Sequence, residues 1–271
     1  MTLISDIQTA DTTVQSERHG QPIIRLDDVS FGYERGQPIV DAFSWAIYPG
    51  ETWGVLGPSG SGKTTLLYLL AGLRRPNSGA VYFRGERLTA PSGDVGLMLQ
   101  DYGLLPWMTA ERNVQLGLKI RRVPRRDRHR IRAEWLERMQ IQHIAGKYPG
   151  QLSGGQRQRV ALARVLALQT DVLLLDEPLS AVDELTRERL QKTLRSITAE
   201  LGVTMILVTH SIEEAALLTD NVIIFPEEGP LRDPIALRSP FAGLLAQGQV
   251  PDRGDPEFQA FCARIRGTLG L

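Results

Sequence analysis

One octapeptide limits the folding of this chain more than any other stretch: Gly57-Pro58-Ser59-Gly60-Ser61-Gly62-Lys63-Thr64. It satisfies the pattern G-x-x-x-x-G-K-[S/T] at every defined position. Closely spaced glycines let the backbone curl, so that successive N–H groups turn inward and form a cradle for a phosphate. Residues 52–56 before it form a short apolar run and read as a buried strand; residues 63–73 after it carry apolar side chains at helical spacing. A helix that starts on such a loop points its positive end at the bound anion. Lys63 reaches for the β- and γ-phosphates, and the Thr64 hydroxyl is a ligand for Mg²⁺. Thr65 stands beside them. A strand, a tight loop and a helix in this order commit the chain to an α/β layer structure.

The rest of the chain fits that commitment. Strand patterns at 79–84, 95–99, 172–175, 204–208 and 222–225 are interleaved with helical patterns at 155–165 and 185–201, which predicts a mostly parallel sheet. Residues 23–48 alternate apolar and polar positions and break near Gly32, Gly36 and Pro49, which predicts two or three antiparallel strands. Residues 106–150 are helical in pattern and rich in charge, and read as an insertion into the α/β core. Seven arginines between Arg121 and Arg132 read as a solvated face. Residues 1–20 are polar and read as a flexible leader. A C-terminal extension runs over 240–271, with one helix at 257–269.

Composition narrows the function. Lys+Arg and Asp+Glu both number 31, so the formal net charge is zero and the basic excess of a nucleic-acid binder is lacking. The longest unbroken apolar run is Leu66–Ala71, far short of the ~18 residues of a membrane span. The first twenty residues hold Asp6, Asp11 and Glu17 and no apolar signal region. Cys262 is the single cysteine, which excludes an internal disulfide, and these features together predict a cytoplasmic protein.

Two further loops carry chemistry. Asp176-Glu177 follows the apolar run Val172-Leu173-Leu174-Leu175, so a buried strand delivers two carboxylates to the sheet edge. Asp176 is suited to a Mg²⁺ shell and Glu177 to polarising an attacking water. Leu152-Ser153-Gly154-Gly155-Gln156 precedes a helix and offers a hydroxyl and free N–H groups, either as a second anion site or as a plain helix cap.

With Arg157-Gln158-Arg159 behind it, this last motif resembles that of the ATPase subunit of ATP-binding cassette (ABC) transporters, over roughly residues 22–225. The resemblance implies a P-loop NTPase core with an N-terminal antiparallel β subdomain and an inserted helical subdomain. It puts an ABC ATPase domain at 21–239, with the helical insertion at about 101–155. ATP and Mg²⁺ are implied. Nucleotide contacts fall on Tyr33, as the aromatic on adenine, and on Gly57, Pro58, Ser59, Gly60, Ser61, Gly62, Lys63, Thr64 and Thr65. The resemblance adds Ser153, Gly154, Gly155 and Gln156, which would close over a partner subunit's nucleotide, and Asp183, in the loop that touches the second subunit; Val182 stands where leucine is common in the family. Catalytic roles fall on Glu177, His210 and Gln100, and metal ligation on Thr64, Gln100 and Asp176.

The segment Gln100-Asp101-Tyr102-Gly103-Leu104-Leu105-Pro106-Trp107 looks like the nitrate, sulfonate and taurine importer branch, as does Asp255-Pro256-Glu257-Phe258. In that branch the groove here receives a helix of the membrane subunit, a contact that suits Trp107. The acidic turn Pro226-Glu227-Glu228-Gly229-Pro230 departs from it. The resulting expectation is a homodimeric ATPase, peripheral on the inner face of the cell membrane. It would drive uptake of a small anion with separate permease and solute-binding chains and without nucleic acid. The alternatives are a soluble cassette ATPase acting on nucleic acid or ribosomes, and an adapter that uses nucleotide as a clamp.

Overall fold

The computed structural model describes residues 20–34 and 36–270; the expected leader, but for Gly20, lies outside them. β1 (Ile24–Phe31) and β2 (Val40–Ile47) pair antiparallel, so the alternation over 23–48 resolves into two strands. β3 (Thr52–Leu56) runs through the glycine loop into α1 (Lys63–Leu70). β4 (Ser78–Phe83) and β5 (Glu86–Arg87) complete a four-stranded antiparallel sheet in the order β2-β1-β4-β5. β6 (Val95–Met98) precedes three helices, α2 (Ala110–Val114), α3 (Leu116–Ile120) and α4 (Arg125–Arg138). Then come α5 (Gly154–Leu166), β7 (Val172–Asp176), α6 (Glu184–Leu201), β8 (Thr204–Val208), α7 (Ile212–Leu218) and β9 (Asn221–Ile224). β10 (Ile235–Arg238), α8 (Ala242–Ala246) and α9 (Pro256–Thr268) end the fold.

The central sheet is ordered β10-β9-β3-β8-β7-β6. Five of its strands are parallel; β10 lies antiparallel on the β9 edge. β3, β7 and β8 are buried at every position, as strands covered on both faces must be. Their side chains part by alternation. Leu173, Leu175, Met205 and Leu207 enter one core with α5, α6, α7, α9 and the helices after β6; Trp135 of α4 is buried there. Val172, Leu174, Ile206 and Val208 enter the other, against α1 and the antiparallel sheet. Each such side chain contributes roughly 1.5–3 kcal/mol through burial.

Three departures from the sequence pattern have local causes. The helix expected over 63–73 ends at Leu70, because Gly72 turns left-handed at φ 70° and the Leu73 N–H bonds back to the Tyr68 carbonyl at 2.9 Å. The strand expected at 222–225, β9, stops one residue before Phe225, whose N–H instead bonds the Leu56 carbonyl at 2.8 Å. α7 has no clear mark in the sequence: it has seven residues, too few for periodicity to stand out, and forms because Ser211 Oγ accepts from the Glu214 N–H and Ala215–Leu218 are buried.

Candidate functional site

Because the central strands are parallel, their carboxyl ends share one edge, and the chemistry-bearing loops leave from it. β3 delivers Gly57, β7 delivers Asp176 and Glu177, β8 delivers Thr209 and His210, and β6 delivers Gln100.

The glycine loop is held in a shape that larger residues cannot take. Gly62 lies at φ 94°, and a Cβ there would stand 2.2 Å from Ile39 Cγ2; one on Gly57 would stand 2.6 Å from Phe225 Cβ. The Lys63 Nζ leans back across the loop and donates to the carbonyls of Gly57 at 2.9 Å and Pro58 at 2.6 Å. Burial pulls its pKa below the usual lysine value, against the opposing pull of the Glu177 and Asp176 charges. Ser61 Oγ is buried without a hydrogen-bond partner among the described residues. Thr64 Oγ1 donates to Asp176 Oδ2 at 2.7 Å, bringing together an oxygen of α1 and one at the end of β7. Burial raises the Asp176 pKa; the Thr64 hydrogen bond opposes this and the Glu177 charge adds to it.

Tyr33 stands at the loop's flank with its ring exposed. Phe31 meets it edge-on at 5.1 Å, the Arg74 guanidinium lies 5.6 Å from its centroid, and its hydroxyl is 3.4 Å from the buried Thr65 Oγ1. An exposed aromatic face beside a phosphate cradle suits a purine base.

The Glu177 carboxylate lies between two partners: Gln100 Nε2 donates to Oε2 at 3.5 Å, and His210 Nδ1 is 3.6 Å from Oε1. No hydrogen bond joins Gln100 to Thr64 or Asp176 among the described residues. The Glu177 backbone takes φ 49°, an unusual conformation for a glutamate. The Ser153–Gln156 turn lies apart from the glycine loop, with no hydrogen bond to residues 57–65 among those described. Ser153 Oγ accepts from the Gln156 N–H at 3.3 Å, and Gln156 Oε1 accepts from the Ser153 N–H at 3.0 Å, a complete capping box on α5. The helix-cap reading is therefore realised, and the hydroxyl proton of Ser153 is still available to donate. Gly155 presses on the next loop: a Cβ there would lie 3.1 Å from the Ala181 carbonyl oxygen and from Val182 Cγ1. Asp183 caps α6 by accepting from the Thr186 N–H at 3.0 Å, which holds its pKa low.

Two residues of this edge have no role assigned from the sequence, although Gln158 stands in the Arg157-Gln158-Arg159 segment. Gln158 is buried in α5 and bonds the Glu177 carbonyl; its signal was a polar residue on the apolar stripe of Ala161, Leu162 and Val165. Glu214 is buried in α7 and accepts from the Thr209 hydroxyl, with its second oxygen unpartnered among the described residues; burial raises its pKa.

The residues present fit a nucleoside triphosphate with Mg²⁺. The glycine cradle and the orphaned Ser61 hydroxyl await oxygens, Lys63 supplies charge, and Thr64 with Asp176 offers the one or two hard protein ligands that Mg²⁺ takes beside phosphates and water. No cluster of three or more His, Cys, Asp or Glu forms a cage among the described residues.

Comparison with known proteins agrees with this geometry. Residues 40–180 match the family model described as ABC transporter. The chain is 42% identical over 240 residues to the taurine import ATP-binding protein TauB of Chromobacterium violaceum, covering 88% of this chain and 92% of that one. It is 44% identical over 209 residues to the sulfate/thiosulfate import ATP-binding protein CysA of Vibrio cholerae, covering 74% and 55%. Among solved structures, the dimeric post-hydrolysis ATP-binding cassette MJ0796 bound to ADP and Pi superposes with a TM-score of 0.73 at 31% identity, over 80% of this chain and 99% of that one.

Proposed function

This chain belongs to the ABC transporter family, and from that membership we propose that it powers the uptake of a small anion of the taurine or sulfonate kind. It is an ATPase whose hydrolysis drives transport, and it works as a dimer on membrane permease subunits. The observation that carries the anion reading is the near full-length similarity to taurine import ATP-binding proteins, from C. violaceum and, at 40% identity over 255 residues, from Pseudomonas aeruginosa. The relatives lend no support to a cassette acting on nucleic acid or to a nucleotide-clamped adapter. No helix among the described residues is long and apolar enough to cross a membrane; the similarity to import ATP-binding proteins supports passage of the solute through separate permease chains. A separate solute-binding chain presents the anion, and the ATPase sits on the inner face of the membrane.

The division of labour follows from the geometry. Tyr33 stacks on the base, and the N–H groups of residues 59–64, with the Lys63 ammonium, hold the phosphates in the loop that Gly57 and Pro58 open. Thr64 and Asp176 would hold Mg²⁺, with Gln100 reaching toward it, and the ion would supply neutralisation of phosphate charge. Glu177 accepts a hydrogen bond from a water O–H and so aims the water oxygen's lone pair at the γ-phosphorus. Gln100 and His210 keep that carboxylate in place. Ser153 and the N–H groups of Gly154, Gly155 and Gln156 contact the γ-phosphate held by a second copy, while Asp183 faces that copy across the seam. Hydrolysis removes this bridge, and the seam opens. Trp107, 68% exposed, is the contact offered to the permease.

The test is uptake. Cells lacking this chain lose accumulation of labelled taurine or another small anion, and regain it with the wild-type chain but not with Glu177→Gln. Unchanged uptake of taurine, sulfonates, sulfate and bicarbonate would refute the anion assignment.

A further inference from the structure

Gln158 is fully buried in the second turn of α5, four residues after Gly154. Its carboxamide uses both ends on one stretch of chain. Nε2 donates to the Glu177 carbonyl at 3.1 Å and reaches Ser180 Oγ at 3.4 Å; Oε1 accepts from the Ala181 N–H at 3.2 Å. Ser180 Oγ donates to the same Glu177 carbonyl at 3.2 Å, and on the other side the Glu177 N–H donates to the Val208 carbonyl at 2.9 Å. The left-handed backbone of Glu177 is thus clamped on both flanks, as a strained conformation must be if it is to persist. The first turn of α5 lies on the same stretch through Gly155, against Ala181 and Val182. A buried amide with both ends satisfied is a rigid link, since breaking either bond leaves a polar group unpaired.

We propose that Gln158 is a positioning residue that ties the Ser153 turn, which reads the partner subunit's nucleotide, to Glu177, which acts on the chain's own. The inference rests on the two-subunit seam of the preceding section. When a γ-phosphate of the partner engages Ser153, the amino end of α5 shifts with it. Gln158 carries that shift to the Glu177 backbone and sets the carboxylate between Gln100 and His210. Hydrolysis in each site is then licensed by occupancy of the other, and turnover depends cooperatively on ATP.

The experiment uses the full chain with ATP and Mg²⁺. Gln158→Met fills the same volume without the hydrogen bonds. It lowers kcat by about 10–10²-fold, the scale of a small misplacement of a catalytic group, leaves KM nearly unchanged, and reduces the Hill coefficient to one. Gln158→Glu keeps an acceptor for the Ala181 N–H but loses the donor to Glu177; it gives the same kcat loss, and stands in if the methionine variant does not fold. Mixed dimers then locate the effect. With Glu177→Gln in one subunit, only the other turns over. The larger loss follows Gln158→Met placed in the subunit with intact Glu177. An equal or larger loss from the opposite placement would mean that Gln158 merely supports the Ser153 turn, and overturns the proposal. So does a wild-type kcat and Hill coefficient in both homodimeric variants. A wild-type chain that turns over ATP as a monomer overturns the seam reading itself, and this inference with it.

Discussion

Replacing Glu177 with glycine separates the cost of its backbone from the use of its side chain. At φ 49° a non-glycine residue gives up roughly 1–2 kcal/mol relative to the right-handed region. Glycine adopts this φ freely, but its extra freedom in the unfolded chain costs about 0.5–1 kcal/mol. The side-chain contacts to Gln100 and His210, at 3.5 and 3.6 Å with exposed partners, contribute a few tenths of a kcal/mol. The balance lies between no change and a gain of about 1 kcal/mol, or up to about 4 °C in Tm for a chain of this size. Turnover falls by ~10²–10⁴-fold, or about 2.7–5.4 kcal/mol in the barrier. Glu177→Gln is the control: it loses the same turnover but keeps the strained backbone and a hydrogen-bonding end. It also holds an ATP-bound dimer that reverts to monomer with ADP. Calorimetric unfolding without nucleotide, alongside phosphate release and light scattering, reads all three quantities. If Glu177→Gly melts more than about 1 kcal/mol below Glu177→Gln, the loop does not store the strain inferred for it. If Glu177→Gln hydrolyses ATP at the wild-type rate, the carboxylate is not the water-directing group.

Lys63→Ala removes the cation over the glycine loop, and titration calorimetry then shows ATP affinity reduced by at least about tenfold, the worth of one charge-assisted hydrogen bond; wild-type affinity would displace Lys63 from the phosphate site. Tyr33→Ala weakens ATP binding by about tenfold or more while Tyr33→Trp has a mild effect, because stacking is worth ~1–3 kcal/mol and tolerates any planar ring; equal binding by all three would make Tyr33 a packing residue. Glu214→Gln bears on pH. Burial raises the carboxyl's folded pKa above its unfolded one, so its contribution to stability is full below the ordinary carboxylate range and is lost as pH rises through the folded value. Denaturant unfolding at several pH values therefore shows the wild type losing ground to the glutamine variant as pH increases, and a constant difference between them would contradict this.

The parts of the site that were legible in the sequence are those built by local chemistry. The glycine loop, Asp176-Glu177 and the Ser153 turn each carry their residues in consecutive positions, next to a strand or a helix whose period is plain. Single residues at strand ends, Tyr33, Gln100 and His210, gained meaning only from the resemblance, since an isolated aromatic, amide or imidazole fits many roles. What stayed hidden depends on contacts across the fold. Gln158 and Glu177 are nineteen residues apart, and their bond exists only because α5 packs against the β7 edge. The φ of Glu177 has no sequence mark, since glutamate is a poor choice for that conformation. α7 and β10 were missed for the opposite reason: each is short, and β10, an exposed edge strand, shows no alternation.

The parting of side chains across the central sheet makes that sheet a partition between two packings that share a backbone and little else. A methylene added or removed near Trp45 or Leu66 is absorbed among α1 and the antiparallel strands; one altered near Trp135 or Leu162 is absorbed among the helices on the far side. Substitutions on opposite sides are therefore expected to add in their effect on stability, whereas those on one side interact. Such a chain can drift independently on its two sides. The layer behind the phosphate loop can stay fixed while the helical layer is reshaped for a different membrane partner, and the strand ends that hold the catalytic groups remain in register.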